Sequence, residues 1–335
     1  MLTTEEKQIL FYSLDQDITL KKLKEMSDYP LDPERTEKLL KWMEKYHIQG
    51  YTSSSDHYPV KFRLIPNGPY LFYAIGNVDL CQQKILWIVG PRFMSSYAEQ
   101  LLEELFKEIE SKRLVTVSWM ANGIDQKCHK LSLQHHLPTI AILWWWLRKY
   151  LESEDRFLIE DIIRNWWCII SEFKLNFKPT NWSFPQRNRL IAWLSDVLFI
   201  PEAKEHSWSL ITADFAFQYK KKIFIAPNQL FAPNGKGSNQ FLAEKKADLL
   251  FSFQQISSLF EDSQANFLPK TSLPSLTEIE QQVINLVKEH ATQDISWWIY
   301  KTSLESSDIL STLTMLEIKG MIYQSSPWIY EIKSS

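Results

Sequence analysis

Four polar clusters in this chain have the residue types and spacing to do chemistry. Arg92 follows the apolar run "KILWIVG", two residues after Gly90 and shortly before a helical pattern that opens at serine. A guanidinium beside a helix start suits an anion: the first helical amides point outward unbonded, and the guanidinium adds a charge-assisted fork. Arg187, Asn188 and Arg189 form the centre of "FPQRNRLI". The two arginines lie on opposite sides of a strand or about half a helical turn apart. One is therefore expected to face the ligand and the other to pair with an acidic core residue such as Glu202 or Asp125, with Asn188 as an orienting hydrogen-bond group. Ser207, Ser209 and Thr212, in "SWSLIT", open a further helix, where hydroxyls serve an anion or the helix cap, and the two roles are compatible. Lys236, in "NGKGSN", offers a mobile ammonium, and Asn239 is expected to fix the same loop.

Other chemistries are excluded by spacing. Cys81, Cys128 and Cys168 form no CxxC pair, so neither a disulfide framework nor a zinc site is expected, and no cofactor is implied. Asp125 and His129 stand four residues apart on one helical face, which reads as a structural pair rather than a metal or catalytic site. "NGKGSN" does not fit the phosphate-loop spacing GxxxxGK[ST]. The net charge of −3 gives no global basic signature, so any nucleic-acid site must be a local patch. Lys220, Lys221 and Lys222 precede an apolar strand and read as a solvated turn. The N-terminus has no secretory pattern, and no apolar run approaches ~18 residues. A cytoplasmic location with no membrane partner is the expectation.

These residues need a frame to hold them. Residues 1–57 carry apolar positions at helical spacing, as in "PERTEKLLKWMEKY", and read as a small helical domain of the SAM-like or helix-hairpin-helix type. Residues 58–255 alternate short apolar strands with amphipathic helices: "KILWIVG", "LVTVS", "PTIAIL", "CIISEF", "DVLFIPEA" and "KKIFIAP" are the strands. In "SSYAEQLLEELFKEIESKR" a serine caps a helix with Leu101, Leu102, Leu105 and Ile109 on one face. Wholly apolar strands alternating with helices predict an α/β fold, a Rossmann-like doubly wound parallel sheet that binds ligands at the carboxyl ends of its strands. Residues 256–275 carry two prolines and little periodicity, as a linker does. Residues 276–335 give two or three helices and a hairpin, the outline of a winged-helix domain. Its expected recognition helix, "SSDILSTLTMLEIKG", has one lysine and two acidic residues, which favours protein contact over duplex reading.

The motifs at the strand ends, taken in order, resemble the DNA-processing protein A family (DprA, also called Smf). The chain supplies "YPVKFRL" from Tyr58, "IVGPR" from Ile88, "SWMANGID" from Ser118, His129, "TIAILWWW" from Thr139 and "ISEF" from Ile170. It continues with "FPQRNRLIAWLS" from Phe184, "EAKEHSWSLITA" from Glu202 and "GSNQFL" from Gly237. The resemblance is strong over residues 50–250. It implies sequence-independent binding of single-stranded DNA, loading of the recombinase RecA in natural transformation, and a homodimer, with no catalysis. The implied DNA-binding set is Gly90, Arg92, Asn122, Gly123, Arg187, Asn188, Arg189, Ser207, Ser209, Thr212, Lys236 and Asn239. The rival is a nucleotide enzyme of the phosphoribohydrolase type, with Glu202 as its carboxylate, but no PGGxGT motif is present. The chain departs from the family pattern at Pro227–Asn228, where a proline-glycine turn is usual, and at Ala98 in place of glycine.

A further departure is systematic. The chain has 8 glycines and 14 tryptophans, and Trp119, Trp144, Trp146, Trp193 and Trp208 stand where the family pattern has glycine. Trp166, Trp167, Trp182, Trp297 and Trp328 fall in turn-like contexts. The replacements track glycine, which points to UGA codons written as tryptophan in a lineage that inserts glycine. Adding the two residue types together gives close to the usual glycine share of about 7%. Trp42, inside a helix, and Trp87, inside a strand, read as genuine.

Overall fold

The computed structural model describes residues 3–15, 18, 20–26, 28–65, 68–143, 150, 153, 155–175, 183–205, 207–261, 278–289, 297, 301–302, 309, 312–313, 316, 322–326 and 329–332, with backbone only at 21, 183–188, 278, 280, 289, 323–326 and 329–332. The chain divides into two compact units, Met1–Ala265 and Asn266–Ser335.

Among the described residues, the first unit is built on one sheet of nine strands in the order β1 (Gln49–Thr52), β2 (Leu71–Gly76), β6 (Cys168–Ser171), β5 (Thr139–Ile142), β4 (Val115–Trp119), β3 (Ile85–Ile88), β7 (Val197–Ile200), β8 (Lys222–Ile225) and β9 (Asp248–Leu249). Its parallel centre comprises β3, β4, β5, β6, β7, β8 and the short β9. The six strands expected from the sequence are β3 to β8, and the Rossmann-like fold stands. The central strands are mainly apolar because helices cover both faces, and every residue of β3, β4, β5, β6 and β7 is buried, the polar Thr116, Ser118, Thr139 and Ser171 included. Alternation sorts them: Leu86, Ile88, Val197 and Phe199 point to one face, where they meet Leu102, Leu105, Phe106 and Ile109 of the helix Ser96–Ile109. Each such side chain contributes about 2 kcal/mol on full burial. Leu101 packs at the edge of this cluster.

Two antiparallel strands extend the sheet beyond β6. β2 (Leu71–Gly76) pairs with β6, and β1 (Gln49–Thr52) pairs with β2. The N-terminal helices Thr4–Leu14, Leu20–Glu25 and Pro33–Lys45 precede this edge. Thr3 and Glu6 close a reciprocal capping box on the first of them. Gln8 then donates to the Tyr29 and Tyr70 hydroxyls at 3.0 and 2.7 Å, and the buried Lys174 donates to the carbonyls of Asp15 and Ile18 at 2.8 and 2.7 Å. These bonds tie the helices to the extended sheet. At the other end, Gln254–Ser257 and Ser258–Phe260 are helical, with Ile256 and Phe260 buried in the same cluster as β3 and β7. The first residues of the expected linker are therefore packed.

In the second unit, the helix Glu278–Glu289 buries Val283, Ile284 and Val287 with Ile309, Leu313, Leu316 and Ile322. β10 (Ile322–Ser326) and β11 (Ile329–Ile332) form an antiparallel hairpin. Most of the expected recognition helix lies outside the described residues. Among the described residues, no helix is long and apolar enough to cross a membrane.

Strand order fixes where a ligand can sit. The chain moves from β3 outward through β4, β5 and β6, then returns to place β7 on the other side of β3. The loops after β3 and β7 leave in opposite directions and open a crevice at their carboxyl ends.

Candidate functional site

Arg92 stands at that crevice. β3 ends at Ile88, whose carbonyl accepts from Ser118 Oγ at 2.6 Å. The chain then runs through Gly90 into the exposed turn Arg92–Phe93. Two glycines make this turn possible. Gly123, at φ +86°, lies so close that a Cβ would come within 2.4 and 2.5 Å of the carbonyl oxygens of Pro91 and Arg92. At Gly90 a Cβ would meet Ile124 Cδ1 at 2.2 Å. The start of the helix Ile124–Gln134 thus packs directly on the Arg92 turn, with the exposed Asn122 beside it. Gly90, Arg92, Asn122 and Gly123 form one group, in which the glycines supply proximity and Arg92 the charge.

The β7 side holds this turn in place. Glu202, two residues past β7 and 2% exposed, accepts from Ser95 N at 2.8 Å, from Ser95 Oγ at 2.6 Å and from Asn234 Nδ2 at 3.0 Å. None of these donors is charged. Ser95 also caps the helix Ser96–Ile109, accepting from Ala98 N at 3.1 Å. Asn234 also donates to the Phe93 carbonyl at 3.1 Å, and Tyr97 donates to the Pro227 carbonyl at 2.8 Å. The loop after β8 is thereby joined to the loop after β3. Within it, Asn239 and Asn228 exchange bonds at 3.4 and 3.1 Å, and Asn228 also donates to the carbonyls of Pro201 and Ala226. Asn239 braces the loop, and Asn228 takes over the turn where the family has glycine.

Several expectations need correction. "FPQRNRLI" is helical, within Ser183–Leu194, and Arg189 pairs with Glu172 at 2.8 Å rather than with Glu202 or Asp125. Glu172 follows β6 in "ISEF"; burial pushes its carboxyl above the usual range while Arg189 pulls it back. Arg189 keeps one buried nitrogen, Nη1, with no hydrogen-bond partner among the described residues. The side chains of Arg187 and Asn188 lie outside the described residues. Thr212 is buried, and its hydroxyl donates to the Trp208 carbonyl at 2.8 Å inside its own helix, so that donor is not offered to a ligand. Ser209 is buried in the first turn of that helix.

Ser207 is the N-cap residue of Trp208–Gln218, but its hydroxyl forms no cap bond and is buried without a partner among the described residues. Ser238, in the first turn of the helix Lys236–Ala243, has the same status. Lys236 is exposed at that helix's first position. His129 does not pair with Asp125: its Nδ1 meets Thr139 Oγ1 at 2.8 Å and its Nε2 meets the Trp119 carbonyl at 3.1 Å. Burial lowers its pKa to about 4, so it is a neutral, structural histidine. Among the described residues, no cluster of three or more ligating side chains could hold a metal.

Sequence reasoning missed Ser95, Tyr97 and Asn234 as crevice residues and Glu172 as the arginine partner. For Ser95 the available signal was its cap position. Asn234 stands 141 residues from Phe93 and 32 from Glu202, the groups it joins, and local pattern carries no trace of that.

The tryptophans divide unevenly. Trp144, Trp146, Trp182 and Trp328 lie outside the described residues. Trp166 takes φ +57° just past the helix Arg156–Arg164, a conformation that favours glycine, although His47, His136, Lys220 and Lys245 adopt it elsewhere. Trp208 is 57% exposed at a helix start beside the candidate serines, whereas Trp119 is 5% exposed at the end of β4.

Fold and site together define a Rossmann-like α/β protein with a braced, arginine-bearing crevice at its switch point. Residues 49–261 match the DNA recombination-mediator protein A model, and the chain belongs to that family. It is 32% identical over 204 residues to the DNA processing protein DprA of Bacillus subtilis, covering 61% of this chain and 68% of that protein. It is 28% identical over 316 residues to the Smf protein of a Synechocystis strain, covering 84% and 79%. Among solved structures, DprA from Streptococcus pneumoniae aligns with a TM-score of 0.59 at 26% identity over 76% of this chain and 93% of that one. DNA processing protein A from Helicobacter pylori, described for its single-stranded DNA binding mode, aligns with a TM-score of 0.56 at 29% identity, covering 64% and 96%.

Proposed function

We propose that this protein binds single-stranded DNA without sequence preference, holding its phosphates at the β3–β7 crevice, and hands the strand to RecA recombinase. The observation that carries this reading is the Arg92 turn. It is exposed, set against a helix N-terminus by Gly90 and Gly123, and fastened from behind through Glu202 and Asn234. Such a turn presents a charge in a fixed place without reading bases, which is what a sequence-independent phosphate contact needs. Ser207, Lys236 and the helix starts around them extend the anion-binding surface; Ser209 and Thr212 support it from within the helix, and Arg187 and Asn188 belong to the same set, with Arg189 holding their helix through Glu172.

The protein works by binding, without catalysis. A nucleotide-hydrolysing role would need Glu202 free to act, yet both of its oxygens are engaged by Ser95 and Asn234. Homodimerisation, a cytoplasmic site of action and a protein-contacting winged helix at residues 276–335 complete the proposal. Most of the tryptophans at family glycine positions are taken as recoded glycines. Mass measurement of the tryptic peptide Leu190–Lys204 from the native cell decides this at Trp193.

The functional test is binding of fluorescent oligo-dT across a salt series. Affinity should fall steeply as salt rises, with a slope of about 0.7 per phosphate neutralised. Salt-independent binding, or turnover of a nucleoside monophosphate, would contradict it.

A further inference from the structure

Two phenylalanines on the crevice loops are almost fully exposed: Phe93 at 84% and Phe231 at 88%. A single exposed ring is ordinary on a protein surface, as Phe251 at 81% shows, but these two stand on loops of one crevice that are bridged to each other, and their backbones are fixed. The carbonyl of Phe93 accepts from Asn234, whose side chain also holds Glu202. Phe231 sits in the loop between Pro227, which receives the Tyr97 hydroxyl bond, and Gly235. That loop is tightened by Ala232 N to Gln229 O at 3.0 Å and Gly235 N to Ala232 O at 2.9 Å. The same two bridges, Tyr97–Pro227 and Asn234–Phe93, join the loops that carry the rings. Tyr97 itself is 40% exposed.

The company of these rings indicates what covers them. Phe93 directly follows the exposed Arg92, and Phe231 precedes the exposed Lys236 by five residues. Each ring thus has a cation near it in the chain. A purely apolar partner would gain nothing from those cations, whereas a polymer of alternating anions and flat bases meets both. We propose that Phe93 and Phe231 are a base-stacking platform for unpaired bases of the strand whose phosphates lie at Arg92. The proposal rests on the single-stranded DNA reading above. It adds a second mode of recognition, stacking on aromatic faces, which is tolerant of sequence because every base has such a face.

The two modes separate experimentally. With the full chain, Phe93→Ala and Phe231→Ala should each weaken binding to oligo-dT about tenfold, or ~1.4 kcal/mol, while leaving the salt slope unchanged. Phe93→Trp should retain affinity. On an oligonucleotide of the same length made abasic over its central residues, the wild type and both alanine variants should bind equally. Unchanged oligo-dT affinity in the folded alanine variants, or an equal loss on the abasic strand, would overturn the platform while leaving the phosphate site standing. If the wild type fails to bind oligo-dT, the reading beneath it falls and the platform with it. Normal DNA binding with lost self-association would make the rings a contact between copies of the chain and would likewise overturn the proposal.

Discussion

The two ends of β7 each carry a carboxylate, and their surroundings differ. At the amino end, Asp196 accepts from the Lys61 ammonium at 2.9 Å and from Ile85 N at 2.8 Å, so a cation and the start of β3 meet on it. At the carboxyl end, Glu202 accepts, among the described residues, only from the uncharged Ser95 and Asn234. Both carboxylates tie β7 to β3, but the first closes its end with matched charge. The second fastens loops whose outward face shows Arg92 and Phe93. The contrast fits the proposed division of the sheet into a structural end and a binding end, since a doubly wound sheet takes its ligand at the carboxyl end of the switch point. The lysines follow the same division. Lys222, at the amino end of β8, pairs with Asp248, and Lys221 donates to the Trp193 carbonyl at 2.9 Å.

The largest expected effect involves neither carboxylate and isolates fold stability from binding. His129 stays neutral down to about 4 when folded, against an ordinary 6.5. Between those values the unfolded chain takes up a proton that the folded one refuses. Its contribution is therefore complete above ~6.5 and is lost as pH falls, by about 3 kcal/mol near pH 4. Urea unfolding at pH 7 and pH 4.5 measures this, and His129→Gln should flatten the difference.

Next comes Asp196→Ala. It should cost about 2 kcal/mol by leaving Ile85 N without its acceptor and Lys61, which keeps the Gln83 and Leu194 carbonyls, without its counter-charge, while oligo-dT affinity of the folded protein stays unchanged. An equal loss of affinity would erase the distinction between the two ends. Glu202→Gln is the sharper probe of the binding end. An amide cannot accept at both positions, so stability should fall by about 1 kcal/mol and affinity about fivefold as the Arg92 and Asn234 loops loosen. A stability loss with full affinity would mean that these loops do not position the ligand.

Much of this was legible in the sequence. β3 to β8 are short, mainly apolar runs, and buried parallel strands have little freedom to read otherwise. Ser95 announced its helix, and the ordered motifs placed Arg92 at a strand end. What was not legible depends on distance along the chain. β2, in "YLFYAIG", is as apolar as the parallel strands but sits before the alternation begins, and only tertiary pairing shows it running antiparallel to β6. Glu172 was visible as part of "ISEF", but its arginine lies seventeen residues away on a helix that sequence spacing left undecided between helix and strand. The bridges of Asn234 and Tyr97 span more than a hundred residues. Thr212 failed as a ligand donor because a threonine inside a helix can bond back to its own preceding turn.

The most direct measurement compares Arg92→Ala with Lys222→Ala in oligo-dT binding over a salt series. Both remove one cation from the same protein, from opposite ends of the sheet. Arg92→Ala should weaken binding tenfold or more, about 1–3 kcal/mol, and lower the salt slope by about 0.7, while Lys222→Ala should change affinity by less than about twofold. Equal effects from the two substitutions, or a larger one from Lys222, would contradict the assignment of the β3–β7 crevice as the binding end.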